Sequence, residues 1–255
     1  MSLKLDKFSA GYRSWKTCEV TMEIPTHGLT GLLGLNGSGK STLLKGMMGL
    51  IQHRGSLIVD GKEIGMARTK ERALQFSYLP QRYQFAYPIS VEDVILMGFN
   101  PEMSLFEQYS QEQRDKARTV LSQMGLEEML QADFTHLSEG QRQRIMLARS
   151  LVQDTAVLLL DEPDSAMDFS VQHDVMHLIQ TIIRRDQRCG LVILHDPSLA
   201  LKFCDRIELF QDGQIKDSII PALDDGEVIR QKLNQLFGSV AVYPLPEGRF
   251  IVDMM

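Results

Sequence analysis

The sequence predicts an α/β layer fold, and three observations predict it. Short strand-like runs alternate with helical patterns along most of the chain. One apolar run, residues 29–35, ends in a glycine-rich turn that opens a helical pattern. Two further runs, 157–160 and 191–194, are apolar throughout, as parallel strands buried on both faces are.

The elements follow in order. Leu3 and Leu5, then Val20 and Met22, alternate with polar residues and read as early strands. Residues 40–50 read as a helix after the glycine-rich turn. Residues 57–59 form a strand closed by Asp60-Gly61, a strong turn pair. From 83 to 136 the pattern becomes helical with polar joints. There Ser110 and Gln113 have capping-box spacing. Ala117, Val120, Leu121 and Met124 follow at helical spacing, and Gly125 suits the residue after the helix. Between the two late strands, Val175, Leu178, Ile179 and Ile182 give a helix one apolar face. After Gly213 comes a small appendage, with a helix at 227–236 and a terminal hairpin around Pro246-Glu247-Gly248. The expected organisation is an α/β core over 1–82 and 137–220, a helical subdomain over 83–136, and a C-terminal appendage over 221–255.

Composition narrows the function. The chain has 255 residues, 44% hydrophobic and 24% charged, enough apolar material for a sizeable core. It carries 27 Lys and Arg against 33 Asp and Glu, a net charge of −6. An acidic chain is a poor duplex-DNA binder, whose affinity comes from neutralising phosphates, so no nucleic-acid partner is expected. Three scattered cysteines, Cys18, Cys189 and Cys204, lack disulfide or zinc-knuckle spacing and fit a reducing compartment. The longest clean apolar run, 156–160, falls far short of the roughly 20 residues that span a bilayer. Charge is mixed into the first residues, against a signal peptide. The expectation is a soluble protein that meets a membrane only through a partner.

The phosphate chemistry is explicit. Gly34-Leu35-Asn36-Gly37-Ser38-Gly39-Lys40-Ser41 fits G-x-x-x-x-G-K-[ST], between an apolar strand and a helix. Glycines let the main chain curl so that N–H groups point at phosphate oxygens, and the helix N-terminus adds partial positive charge. Lys40 is expected to reach the β- and γ-phosphates, and the Ser41 hydroxyl to ligate Mg²⁺. Downstream, a strand ends in Asp161-Glu162-Pro163. An ionised acid leaving a buried strand is costly unless it is paired or metal-bound. Asp161 therefore suits Mg²⁺, and Glu162 suits polarising a water against the γ-phosphate.

Between these elements stands Leu137-Ser138-Glu139-Gly140-Gln141, which resembles the LSGGQ signature of ATP-binding cassette (ABC) ATPases. The order of the three motifs is the family's. Tyr12 resembles the aromatic that stacks on adenine, with Trp15 as a rival. Gln81 resembles the Q-loop glutamine, Ser165-Ala166-Met167-Asp168 the D-loop, and His195 the switch histidine. Asp168 also has a helix N-cap reading, before Phe169. The resemblance implies a P-loop NTPase (RecA-like) core with an antiparallel β part and a helical signature subdomain. It implies ATP held by Tyr12, Asn36, Gly37, Ser38, Gly39, Lys40, Ser41 and Thr42 of one copy. Ser138, Gly140, Gln141 and Asp168 would close it from the other copy of an ATP-bound homodimer. Mg²⁺ would sit on Ser41, Gln81 and Asp161, and catalysis would fall to Glu162, His195, Gln81 and Lys40. Glu139 replaces the usual glycine and is expected to face solvent or a partner.

The segment 88–101, Pro-Ile-Ser-Val-Glu-Asp-Val-Ile-Leu-Met-Gly-Phe-Asn-Pro, is similar to that of ABC importers for iron–siderophore complexes, haem and cobalamin. That likeness implies integral permease subunits and, through them, an extracytoplasmic substrate-binding protein, with the chain at the cytoplasmic face of the membrane. Tyr87, Ile89, Met97, Phe99 and Phe106 are candidate permease contacts, or alternatively core of the helical subdomain. Cassettes for zinc, manganese or phosphonate, and a soluble cassette of iron–sulfur assembly, are the alternatives. His173 and His177 have zinc-motif spacing but read as solvated. Arg184, Arg185 and Arg188 read as partners of a helix dipole.

Overall fold

The computed structural model describes residues 2–12, 15–16, 19–104, 106–165, 167–246 and 249–254. The chain opens with β1 (Leu3–Tyr12), β2 (Trp15–Lys16), β3 (Val20–Ile24) and β4 (Leu29–Leu33), then α1 (Lys40–Met47). There follow β5 (Gln52–Val59), β6 (Lys62–Glu63), α2 (Thr69–Ala73) and β7 (Phe76–Leu79). The helical stretch holds α3 (Val91–Leu96), α4 (Gln111–Gln123) and α5 (Glu139–Val152), joined by single 3₁₀ turns. The α/β pattern resumes with β8 (Val157–Asp161), α6 (Phe169–Arg185), β9 (Cys189–Leu194), α7 (Pro197–Phe203), β10 (Arg206–Gln211) and β11 (Gln214–Ile219). The appendage is α8 (Gly226–Phe237) with β12 (Val240–Leu245) and β13 (Arg249–Met254).

Two sheets make the core. One is antiparallel, in the order β2-β1-β5-β6, with β3 also paired to β1. The other runs β11-β10-β4-β9-β8-β7 and is parallel from β10 to β7. Its central strands β8 and β9 are buried at every position, which is why they read as unbroken apolar runs. Parallel pairing also puts the loops after β4, β7, β8 and β9 at one end of the sheet, where α/β folds bind ligands. Side chains of both sheets meet α1 in one apolar cluster that includes Leu5, Phe8, Leu43, Leu44 and Phe76.

The helical stretch behaves as its spacing predicts. Ser110 and Gln113 form the reciprocal capping box; Ala117, Val120 and Leu121 are buried; Gly125 turns the chain at φ 65°. Helix α5 packs on α3 and α4 and also on β7, so it joins the helical part to the sheet. Asp60 and Gly61 both take positive φ, the hairpin turn that leads into β6. The late hairpin forms through β12 and β13, and its tip residues Glu247 and Gly248 lie outside the described residues.

Several expectations are corrected by tertiary contacts. Helix α1 stops at Met47 rather than at residue 50, because Gly49 turns left-handed and the Arg72 guanidinium binds the carbonyls of Gly46 and Met47. His177 is exposed and His173 half-exposed, but the His173 ring also packs against Phe169 and Phe203, and Lys202 Nζ lies 2.7 Å from its Nδ1. Arg188 is buried past the helix end, on the Gln153 carbonyl and Asp154; Arg185 pairs with Asp186, and Arg184 with Asp205. The arginine cluster is therefore neutralised by specific acids. Phe99 is core, whereas Tyr87 and Phe106 are exposed. Cys189 and Cys204 are free and buried, and burial pushes the Cys189 thiol up to about 12. Cys18 lies outside the described residues.

Candidate active site

The loop between β4 and α1 is shaped for close approach. A Cβ on Gly34 would collide with the Phe210 carbonyl of neighbouring β10, so only glycine fits there. Gly37 and Gly39 take φ 78° and 105°, and Gly39 caps α1. Gly37, Gly39, Lys40, Ser41 and Thr42 line a cavity of about 340 Å³. Lys40 Nζ reaches back over the loop, donating to the carbonyls of Gly34 at 2.7 Å and Leu35 at 3.0 Å. Burial lowers the Lys40 pKa, and the nearby charges of Glu162 and Asp161 oppose that shift. The Ser38 hydroxyl is buried with no hydrogen-bond partner, while Asn36 is exposed at the crest of the loop.

Beside this loop, β8 delivers two acids of different character. Asp161 is 1% exposed and accepts from Ser41 Oγ at 2.9 Å. Burial raises its pKa, the Ser41 bond opposes this, and the Glu162 charge adds to it. Tyr78 Oη lies 3.5 Å from the other Asp161 oxygen. Glu162 turns out of the strand with a left-handed backbone, φ 56°, which an L residue adopts only when its surroundings hold it there. Gln81 Nε2 donates to Glu162 Oε2 at 2.7 Å, and His195 Nε2 lies 2.6 Å from Oε1. An ionised carboxylate only accepts, so the His195 proton facing it sits on Nε2. Gln81 follows β7, Glu162 follows β8 and His195 follows β9, so three adjacent strand ends converge on one carboxylate.

The remaining residues lie elsewhere in the chain. Ser138 caps α5: its Oγ accepts from Gln141 N at 3.3 Å, and Gln141 Oε1 accepts from Ser138 N at 3.0 Å. Ser138 is exposed, and Gly140 is half-buried behind it. Glu139 is exposed and pairs with Arg142 at 2.5 Å, which holds its charge on the flank of α5. Among the described residues, no hydrogen bond or ion pair joins Ser138, Gly140 or Gln141 to Lys40, Ser41 or Glu162 of the same chain. Asp168 is exposed and occupies the N-cap position of α6, but its side chain makes no capping bond. Tyr12 is 55% exposed at the end of β1, on a cleft shared with Leu50 and Met66. The Trp15 side chain and Ala166 lie outside the described residues.

Three contributors escape sequence reading. Tyr78 adjoins Asp161, and Gln143 donates from Nε2 to the Glu162 carbonyl at 3.0 Å while its Oε1 accepts from Tyr83 Oη at 3.1 Å. Their only signal is position, beside Gln81 and after the serine-capped turn, and no spacing rule marks them.

The comparisons fit this geometry. The family described as ABC transporter matches residues 18–165. The chain is 33% identical over 245 residues to a petrobactin import ATP-binding protein of Bacillus anthracis, covering 91% of this chain and 88% of that protein. It is 31% identical over 216 residues to the iron(3+)-hydroxamate import ATP-binding protein of Bacillus subtilis, covering 84% and 80%. A chain of an ABC transporter in an inward-facing conformation superposes with a TM-score of 0.80 at 22% identity, over 100% of this chain and 96% of that one. A bacterial ABC transporter cassette solved as a dimer superposes at 0.76 with 23% identity, over 86% and 98%. The two structural likenesses show the fold; the matched family and the relatives above 30% identity show the lineage. The chain belongs to the ABC transporter family, and it is an ATPase.

Proposed function

We propose that this ATPase drives an importer for an iron chelate, with Glu162 as the base of hydrolysis. The convergence of Gln81 and His195 on the Glu162 carboxylate carries the reading. A carboxylate held from both sides is aimed, and it stands next to the loop that would grip the β- and γ-phosphates. There it can draw a proton from a water in line with the γ-phosphorus. Lys40 would leave the Gly34 and Leu35 carbonyls for phosphate oxygens, and the unpartnered Ser38 hydroxyl would gain an acceptor. His195 would keep the base oriented through the Nε2 proton it shares with Glu162 Oε1.

The donor set suits Mg²⁺. Asp161, Ser41 and Gln81 offer a carboxylate, a hydroxyl and an amide oxygen, all hard ligands, and the burial that raises the Asp161 pKa favours a cation beside it. Bound there, Mg²⁺ would neutralise charge building on the β- and γ-phosphates. Among the described residues, Ser138, Gly140 and Gln141 make no hydrogen bond to Lys40, Ser41 or Glu162 of their own chain, which supports their service to the nucleotide of a second copy across a head-to-tail homodimer. Exposed Asp168 is assigned to that same nucleotide of the second copy, and exposed Tyr12 to the nucleotide held by its own loop.

The substrate class rests on the likeness to the petrobactin and iron(3+)-hydroxamate import proteins. No described helix is long and apolar enough to cross a membrane. Attachment to the cytoplasmic face is therefore assigned to permease subunits, and contact with an extracytoplasmic binding protein is indirect. A cleft of about 860 Å³ beside α3, lined by Met97, Asn100, Met103, Phe106 and Arg149, is the docking surface favoured for the permease. Phe106 remains a candidate contact there and exposed Tyr87 one outside the cleft, whereas Phe99 belongs to the core.

The test is Glu162→Gln in the chain co-expressed with the permease subunits that co-purify with it. The variant is expected to bind ATP, lose turnover by at least about 100-fold, elute as a closed dimer with ATP and abolish uptake of a labelled iron chelate. Turnover within about threefold of the parent refutes the base assignment. Intact iron-chelate uptake in a strain lacking the protein refutes the transport assignment.

A further inference from the structure

The backbone of Glu162 is held as deliberately as its carboxylate. Its carbonyl accepts from Ser165 N at 3.2 Å, Ser165 Oγ at 2.9 Å and Gln143 Nε2 at 3.0 Å. The two Ser165 bonds lie within the same turn and move with it. Gln143 alone of the three comes from another element, helix α5, which also carries Ser138 at its N-terminus. Gln143 is 1% exposed, so its amide has no water with which to exchange partners. Tyr83 Oη donates to Gln143 Oε1 and thereby fixes which end of the amide faces Glu162. Tyr83 is itself seated against Phe134, with ring centroids 5.9 Å apart, and lies two residues after Gln81. Burial raises its phenol pKa, so it stays a donor at working pH. Glu162 is therefore tied to the helical part of the chain through its carbonyl, and to Gln81 and His195 through its side chain.

We propose that Gln143, oriented by Tyr83, is a positioning residue that sets the Glu162 carboxylate according to where the signature helix α5 lies. The proposal rests on the reading of Glu162 as the base. It adds a direction of control. In a head-to-tail dimer, the α5 of one copy touches the nucleotide of the other, and Gln143 carries that engagement back to the carboxylate of its own site. A residue with φ 56° is a suitable receiver, because it relaxes when an outside restraint is removed. Gln143→Leu keeps the volume, leaves the carbonyl with its Ser165 bonds and removes the tie to α5.

The experiment measures steady-state ATP hydrolysis by the full chain in complex with its permease, for Gln143→Leu, Tyr83→Phe and the double variant. Gln143→Leu is expected to lower kcat about tenfold with KM for ATP within about twofold, since only the geometry of the base changes. Tyr83→Phe is expected to lower kcat about threefold, and the double variant to fall no further than Gln143→Leu, because the two act in series. The Hill coefficient for ATP is expected to drop toward one in all three. Parental kcat in Gln143→Leu, a KM rise in place of the kcat loss, or multiplicative losses in the double variant each overturn the proposal. Should Gln143→Leu not fold, Tyr83→Phe decides alone, since it deletes one hydroxyl, and parental kcat and cooperativity there overturn it. Glu162→Gln in the same assay separates the two failures. Turnover abolished there with parental kcat in Gln143→Leu sinks the tie alone; turnover retained there sinks the base.

Discussion

Replacing Arg72 by methionine is expected to destabilise the whole nucleotide-binding end of the molecule. Arg72 is 2% exposed on α2 and meets no carboxylate within ion-pair distance among the described residues. Its partners are carbonyls: Gly46 at 3.2 Å, Met47 at 3.0 Å, Ala67 at 3.3 Å and Gly65, with His53 Nε2 at 2.7 Å. Two of these belong to the last turn of α1, whose first turn carries Lys40 and Ser41. In the methionine variant the Gly46 carbonyl keeps the Gly49 N–H at 2.9 Å, and the Gly65 carbonyl, 2.8 Å from His53 Nε2, can accept from that ring in the tautomer that carries its proton on Nε2. Met47 and Ala67 are left without a donor. The buried Met47 carbonyl and the half-buried Ala67 carbonyl, at up to about 1–3 kcal/mol each, give at most about 2–6 kcal/mol. Return of the guanidinium's desolvation cost, and water entering from the cleft lined by Gly49 and His53, trim this to about 3 kcal/mol. For a chain of this size that is a fall in Tm of about 6–12 °C. Differential scanning calorimetry of the full chain without nucleotide measures it. Arg72→Lys, which keeps the charge but not the fork, is expected to recover less than half. A methionine variant melting within about 2 °C of the parent refutes the reasoning.

Other outcomes follow from the same geometry. Lys40→Ala is expected to weaken ATP binding by at least about 100-fold in titration calorimetry, and undiminished affinity contradicts the phosphate role. Asp161→Asn is expected to raise the apo Tm, by roughly 1 kcal/mol of stability, because it removes a buried charge while keeping an acceptor for Ser41. The same variant loses the response of ATP hydrolysis to Mg²⁺; an unchanged Mg²⁺ dependence excludes Asp161 as a ligand. The folded-state pKa of Asp161 is raised by burial, so its contribution to stability is complete below the unfolded carboxylate value and lost as pH rises through the folded value. Protons and Mg²⁺ therefore compete at this site, and Mg²⁺ affinity measured by calorimetry should fall as pH is lowered through that range, with proton uptake on metal release.

Much of this was legible because its cause is local. The glycine-rich turn, the Ser110 capping box and the apolar strands 157–160 and 191–194 follow from spacing and residue type. The pairing of Ser41 with Asp161 follows from chemistry, a hydroxyl and a buried acid that each need a partner. The meeting of Gln81 and His195 on Glu162 was reachable only through the family likeness, because three separate strand ends must first be laid side by side. What stayed hidden depends on partners far along the chain. Arg72 stops α1 from 25 and 26 residues away, Gln143 reaches Glu162 across 19, and the rings of Phe169 and Phe203 pack against His173. No periodicity encodes such meetings. Glu139 was the reverse case: an acid in an unfavourable motif position whose discomfort is relieved by Arg142 one turn on.

The twist of the chain at position 162 sets a limit on how this protein can be improved. Every side chain with a Cβ is uncomfortable at φ 56°, and glycine and asparagine are the least so. A library selected for heat tolerance alone should enrich those two residues at 162, and with the proposed base replaced each hardier clone is expected to lose ATP turnover. Durability and work are opposed at a single codon, so any screen for a sturdier protein must demand transport at the same time.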